Sequence, residues 1–225
     1  MPQDKKVERK PFIVFEGIDG VGKTTLSQRF AKEYNARWEP EPTDTGLGEK
    51  IRDILQGRII GANPNTLRHL FAADRAQHSD FIKWALELDM VVLDRYCYSA
   101  YAYNMDTTAA KRDLSAEMEY LVMPDLVFLL DADPVKVRQR LEKRGTLQRF
   151  DDLDTQRQVR DRYLRLWREW PGFFVRIDAS ADLDSVYAKI QVYFNYWLER
   201  RRGLGLTGDA VSSIATNKDG SNPDQ

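Results

Sequence analysis

Phe12-Ile13-Val14-Phe15-Glu16-Gly17-Ile18-Asp19-Gly20-Val21-Gly22-Lys23-Thr24 is the stretch on which the reading of this 225-residue chain turns. It opens on a continuous apolar run, Phe12–Phe15, and Gly17, Gly20 and Gly22 then punctuate it. That pattern predicts a buried strand running into a glycine-rich loop. From Thr24 to Tyr34 the apolar residues Leu26, Phe30 and Ala31 recur at helical spacing. Gly17 to Thr24 therefore fits G-x-x-x-x-G-K-[ST] in the strand–loop–helix context that gives the motif meaning. The glycines let consecutive backbone N–H groups turn inward around a phosphate chain, and the helix adds the positive end of its dipole. Lys23 places a point charge on the β- and γ-phosphates, and the Thr24 hydroxyl is a candidate Mg²⁺ ligand. The loop predicts a nucleoside triphosphate without choosing a reaction.

Working outward, Val91–Leu93, Leu126–Leu130 and Phe173–Ile177 are further buried-strand candidates. Helical patterns separate them, over Thr66–Leu88, Val135–Lys143, Thr155–Trp167 and Leu183–Arg202. Buried strands alternating with helices predict an α/β fold, a parallel sheet with helices on both faces and right-handed crossovers. Residues 1–202 read as one domain. Gly203–Gln225 turns to Gly, Ser, Thr, Asn and Asp and reads as a disordered tail.

Composition narrows the partners. Hydrophobic residues make up 42% and charged residues 31%, and the formal net charge is −1. That is not the strongly basic footprint of a nucleic-acid binder. A lone Cys97 excludes an intrachain disulfide and a clustered-cysteine zinc site, and it reads as a buried packing residue. His69 and His78 have no patterned partner and read as surface or helix-face residues. The apolar runs are far shorter than the ~20 residues of a membrane span. The charged start carries no targeting pattern, so a soluble cytoplasmic protein is expected.

Four P-loop classes compete: small-molecule kinase, GTPase, mechanical ATPase and passive nucleotide binder. No Asn-Lys-x-Asp guanine reader follows a strand; Asn217-Lys218-Asp219 lacks the spacer. Val91–Leu93 leads instead into Asp94-Arg95-Tyr96. Asp94 at a strand end can organise Mg²⁺ and its waters, and Arg95 would face developing phosphate charge.

Here the chain resembles the thymidylate (dTMP) kinase family. The resemblance rests on Phe15–Thr25, Leu47–Arg52, Leu70–His78, Asp94-Arg95-Tyr96 with Ser99, and Pro124–Asp131 followed by Arg144-Gly145, all in family order. It implies a P-loop nucleoside monophosphate kinase with a five-stranded parallel sheet, usually a homodimer, that transfers the ATP γ-phosphate to dTMP. It also implies residue roles. Residues Gly17 to Thr25 (with Ile18, Asp19, Gly20, Val21, Gly22, Lys23 and Thr24) hold ATP, and Thr24 and Asp94 serve Mg²⁺. Phe71 and Arg75, four apart on one helix face, would stack on thymine and donate to its O4. Spacing alone would read them as a core phenylalanine beside a surface arginine. Tyr103 packs on the deoxyribose and disfavours a 2′-OH; Asp19 reaches the 3′-OH region and orders the phosphate site. Arg95 bridges donor and acceptor phosphates. Arg52 reaches the acceptor phosphate, unless it is a solvated helix charge, and Glu41 lies near the acceptor. Ser99 and Asn104 complete the acceptor set.

Residues 144–151 fall where the family has its lid. The P-loop here lacks an arginine, so Arg149 is the candidate donor-phosphate contact when the lid closes, with Arg144 sharing the work. Adenine would rest near Ile177–Ser180. Many members read Arg-Glu-Pro-Gly-Gly-Thr where this chain has Pro40-Glu41-Pro42-Thr43-Asp44-Thr45, and Ser-Ser-Leu-Ala-Tyr-Gln where it has Ser99-Ala100-Tyr101-Ala102-Tyr103-Asn104. Those departures bear on thymine selectivity. Two rivals remain: a kinase for another deoxynucleotide or a deoxynucleoside, and a non-catalytic nucleotide binder.

Overall fold

A computed structural model describes residues 9–104, 107–144, 152–170, 173–201 and 203. Its centre is one all-parallel sheet in the order β2-β3-β1-β4-β5. The strands are β1 (Phe12–Gly17), β2 (Arg37–Pro40), β3 (Val91–Asp94), β4 (Leu126–Asp131) and β5 (Phe174–Asp178). Every residue of β1, β3 and β4 is buried, which is why these strands read as unbroken apolar runs and not as alternating ones. Phe15 of β1 packs against Phe30 and Phe128 at ring-centroid separations of 5.6 and 5.3 Å.

The strand without an apolar signature is β2. Its four residues, Arg37-Trp38-Glu39-Pro40, are only half-buried and lie at the sheet edge. An edge strand tolerates proline because one side of it needs no ladder N–H.

The helices of this part of the chain are α1 (Lys23–Glu33), α2 (Leu47–Leu55), α3 (Pro64–Leu88), α4 (Cys97–Tyr103), α5 (Thr107–Met118), α6 (Pro134–Arg144) and α7 (Leu153–Glu169). Sequence periodicity locates α1, α3, α6 and α7 to within a few residues and misses α2, α4 and α5. Local chemistry sets the starts of the long ones. The Asn63 side chain accepts from Thr66 N at 2.8 Å with Pro64 next in line, and Asp152 accepts from Asp154 and Thr155 N at 3.2 and 3.0 Å. The chain runs from β1 out to the edge at β2, back to β3, and then across β1 to β4. The reversal of direction beside β1 is a topological switch point, and ligands of open α/β sheets bind at the carboxyl ends of the strands at such a point.

Two compact units are distinguished, Met1–Ser180 and Ala181–Gln225. The first holds the sheet. The described part of the second is chiefly α8 (Leu183–Arg201), whose first turn is capped by Asp182 accepting from Ser185 N at 2.9 Å. The tail expected over 203–225 lies, apart from Gly203, outside the described residues. Among the described residues no helix is long and apolar enough to cross a membrane.

Candidate active site

The P-loop turns as the motif requires. Gly17 has φ +144°, and a Cβ there would stand 2.5 Å from the Leu130 carbonyl oxygen, so only glycine fits under the end of β4. Helix α1 then starts at Lys23 with no side-chain cap, leaving first-turn N–H groups unspent and aimed at the loop. Lys23 is buried and donates from Nζ to the Ile18 carbonyl at 2.8 Å. Burial, helped by Arg95, lowers its pKa to about 8 against the pull of Asp19, Asp94 and Glu16.

Thr24 donates its hydroxyl to Asp94 Oδ2. The other carboxylate oxygen, Oδ1, is buried and has no hydrogen-bond partner among the described residues. A hydroxyl beside a carboxylate with an unspent oxygen fits a hard cation that prefers oxygen ligands. No cluster of His, Cys, Asp and Glu suited to a metal occurs among the described residues. Phosphate oxygens and waters would therefore complete the shell, as suits Mg²⁺.

Arg95 is the hub. It has φ +74°, uncommon for any residue but glycine, and its N donates to the Phe15 carbonyl at 2.9 Å. Its guanidinium pairs with Asp19, donates to Ser99 Oγ at 3.1 Å, and lies 5.2 Å from the Tyr103 ring centroid. Tyr103 in turn donates its hydroxyl to Asp19 Oδ2 at 2.8 Å. Burial works against the Asp19 carboxylate, but Arg95 and Lys23 outweigh it and hold Asp19 below the usual carboxylate range.

Behind this hub lies Glu16, which sequence reasoning did not single out. It is fully buried and accepts from Tyr96 N at 2.9 Å, Ser99 Oγ at 2.7 Å and Tyr163 Oη at 2.8 Å. Burial raises its pKa even though Arg95 and these donors oppose the rise. Its signal was available: a lone acid ending an apolar strand needs several donors. Glu16 thus fixes Ser99, and through it Arg95.

A second group of side chains is built on α3. Phe71 is half-buried one turn before Arg75. Arg75 is 3% exposed and meets Glu117 of α5 in a bidentate pair, Nε to Oε2 at 2.8 Å and Nη2 to Oε1 at 2.9 Å. Asp74 accepts from Thr43 N at 2.9 Å and Thr43 Oγ1 at 2.6 Å. His78 is buried, not at the surface, with Nδ1 3.1 Å from Glu41 Oε1. Burial raises the Glu41 pKa despite that contact. Arg52 of α2 donates to the Pro42 carbonyl at 2.8 Å and pairs with Asp44 at 3.1 Å. A Cβ on Gly48 would stand 1.9 Å from the Thr43 carbonyl oxygen, so glycine lets α2 close onto this loop. The loop is joined to the hub by Glu41 N, which donates to the Asp94 carbonyl at 2.9 Å.

The structure thus brings Asp19, Lys23, Thr24, Asp94, Arg95, Ser99 and Tyr103 into one linked set. Glu41, Arg52 and Arg75 stand in a second. Asn104 follows the end of α4 and is half-buried. Cys97 is buried, and burial pushes its thiol pKa up. Arg149 and the rest of 145–151 lie outside the described residues, as does the side chain of Arg144. Near the loop expected for adenine, Arg140 donates to the Ala179 and Ser180 carbonyls at 3.3 and 2.6 Å. Glu117 lies in no motif, and Asp74 and His78, though within Leu70–His78, give no sign of their partners, because the three partners are 42, 31 and 37 residues away.

A family model described as thymidylate kinase matches residues 15–190. The probable thymidylate kinase of Methanocaldococcus jannaschii is 39% identical over 182 residues, covering 81% of this chain and 94% of that protein. The thymidylate kinase of Bifidobacterium longum is 36% identical over 195 residues, covering 80% and 95%. A crystal structure of thymidylate kinase from Ehrlichia chaffeensis shares the fold, with TM-score 0.64 and 24% identity over 83% of this chain and 100% of that one. With the P-loop, the Arg95 hub and the α3 face in place, and with a family match over most of its length, the chain belongs to the thymidylate kinase family.

Proposed function

We propose that this protein is a dTMP kinase, transferring the γ-phosphate of ATP to dTMP to give dTDP and ADP on the route to dTTP. One arrangement supports the reading: Arg95 meets both the P-loop acid Asp19 and Tyr103, which also meet each other, with Lys23 near enough to feel the same charges. An oxygen of the dTMP phosphate attacks the γ-phosphorus, the bond to the β–γ bridging oxygen breaks, and its electrons leave with ADP. The acceptor is already an anion near neutral pH, so no general base is required. The work is positioning and charge neutralisation.

Lys23 leaves the Ile18 carbonyl for the β- and γ-phosphate oxygens. Arg95 spans the two substrates' phosphates, and Arg52 takes the acceptor phosphate. Phe71 stacks on thymine and Arg75 donates to its O4. Tyr103 lies against the deoxyribose where a 2′-OH would collide, and Ser99 and Asn104 border the acceptor. Thr24 and Asp94 would hold Mg²⁺, which when bound would supply positive charge to the phosphates. Arg149, with Arg144, supplies lid charge to the transferring group. One kinase domain over 1–202 carries the lid near 144–151 and is followed by a tail. A homodimer is supported by apolar side chains exposed on α3, Trp84 at 51% and Leu88 at 54%. A cytoplasmic setting suits this chemistry.

The test is ADP release with Mg²⁺–ATP against dTMP, dUMP, dGMP, ribose TMP and thymidine. Preferred turnover of dTMP is expected, and none without Mg²⁺. Turnover of thymidine in preference to dTMP would make the protein a nucleoside kinase, with Glu41 as base for the 5′-OH. ATP binding without turnover of any acceptor would make it a passive binder.

A further inference from the structure

Arg75 carries five N–H donors in a fixed planar fork. Glu117 takes two of them, along the Nε–Nη2 edge, and the remaining three point elsewhere. Among the described residues Glu117 is the only hydrogen-bond acceptor of this guanidinium. None of its nitrogens is a buried atom without a partner, so although the residue is 3% exposed its free edge reaches solvent, where a ligand acceptor can take the place of water. Burial also fixes the charge count. With Glu117 opposite it, Arg75 brings no net charge to its pocket, so an uncharged ligand group suffices. A group that only accepts hydrogen bonds fits the free edge; a group that only donates is rejected there.

We propose that Glu117 is the positioning residue for base selection: by clamping the Nε–Nη2 edge of Arg75 it aims the free N–H groups at a pyrimidine with a 4-keto oxygen and against one with a 4-amino group. The inference rests on the dTMP reading and deepens it. Glu117 touches no substrate. Its carboxylate removes the rotational freedom of a long side chain before the base arrives, so the acceptor oxygen meets donors already in place. Loss of the clamp leaves Arg75 charged and buried with alternative rotamers, including ones that turn N–H groups toward Glu41, whose Oε2 is buried without a partner among the described residues.

The experiment compares kcat/KM for dTMP, dUMP and dCMP in the wild type, Glu117→Gln and Arg75→Met, with the KM for ATP and the melting temperature recorded for each. Glu117→Gln keeps the shape but sets an amide N–H₂ against the arginine. The expected result is a fall of about tenfold or more in kcat/KM for dTMP and dUMP together, carried by KM. The preference for either over dCMP shrinks by a similar factor, and the KM for ATP stays within about twofold. Equal losses on all three acceptors would reduce Glu117 to a structural partner and overturn the proposal. An Arg75→Met variant that keeps the wild-type preference over dCMP would overturn it too. Wild-type turnover of dTMP separates both failures from a failure of the kinase reading. Where Glu117→Gln gives no cooperative melt, Glu117→Asp serves. It keeps the charge, draws the guanidinium back by one methylene, and is expected to lose the same preference.

Discussion

Where the proposed reading puts the phosphate donor this chain offers backbone; where it puts the acceptor it offers side chains already engaged with one another. The P-loop presents N–H groups of α1 that no side chain caps, and Lys23 rests on a carbonyl of its own loop. Across the site, Arg75 is clamped by Glu117, Thr43 by Asp74, Glu41 by His78, and Arg52 by Pro42 and Asp44. The contrast follows from what each half must recognise. A triphosphate is a chain of charge that backbone donors match whatever the base. One pyrimidine differs from another by a few atoms, so the groups that read it must be immobile beforehand. Substitutions on the donor side should therefore act on kcat, and those on the acceptor side on KM and selectivity.

The sharpest break in that contrast is Arg95, which belongs to both halves. Arg95→Ala is expected to lower kcat by about 10³-fold or more, because charge on the transferring group goes unmatched. Steady-state kinetics with each substrate varied would show KM values moving far less. Next comes the acceptor loop. Asp74→Ala releases both the N–H and the hydroxyl of Thr43, and the KM for dTMP should rise about tenfold while kcat stays within about threefold. A matched fall in kcat would mean that the loop serves chemistry and not placement.

Asp131, at the end of β4, gives a smaller effect on a different quantity. It accepts from Arg160 of α7 at 2.6 Å and from Arg176 of β5 at 2.9 Å. Burial opposes its ionisation, yet the two arginines win and hold its pKa below the ordinary carboxylate value. A depressed carboxyl adds stability above its unfolded pKa of about 3.9 and loses it as pH falls through the folded value. Asp131→Asn should cost about 1–2 kcal/mol near neutrality, discounted because both arginines are about a third exposed. In urea melts the gap between variant and wild type should close as pH drops below about 4.

The smallest effect sharpens the acceptor side. Asp44, 70% exposed at its side chain, stands on Arg52 where an acceptor phosphate would compete for it. Asp44→Asn should lower the KM for dTMP about two- to fivefold, and high salt should erase the difference. A higher KM would make Asp44 an aid to Arg52 and not its competitor.

The legible parts of this fold are those where one interaction dominates. Buried strands β1, β3 and β4 announce themselves as apolar runs, as does the apolar start of the partly exposed β5, and the P-loop as a spacing. Strand β2 does not, because an edge position lets Arg37, Glu39 and Pro40 stand where a central strand needs apolar residues. Helix α4 hides among aromatics with no clear period, and α5 is mostly polar and small. In the site, Lys23, Asp94, Arg95 and the Phe71–Arg75 spacing are readable because each lies within a motif. Glu117 and Asp74 are ordinary helix acids until folding brings Arg75 and Thr43 to them. His78 reads as a helix-face residue until Glu41 arrives from another element.

Gly17 has a consequence in time as well as in space. It sits in register with Leu130, a residue made 113 positions later, and β1 likewise waits 79 positions for Val91 to pair with Phe12. The nucleotide loop is thus made well before the strand that completes it. Parallel partners this distant make closure slow, and the apolar strand β1 must stay unpaired until β3 and then β4 are made. A nascent chain halted before β4 has the whole P-loop sequence and no finished cradle for a phosphate.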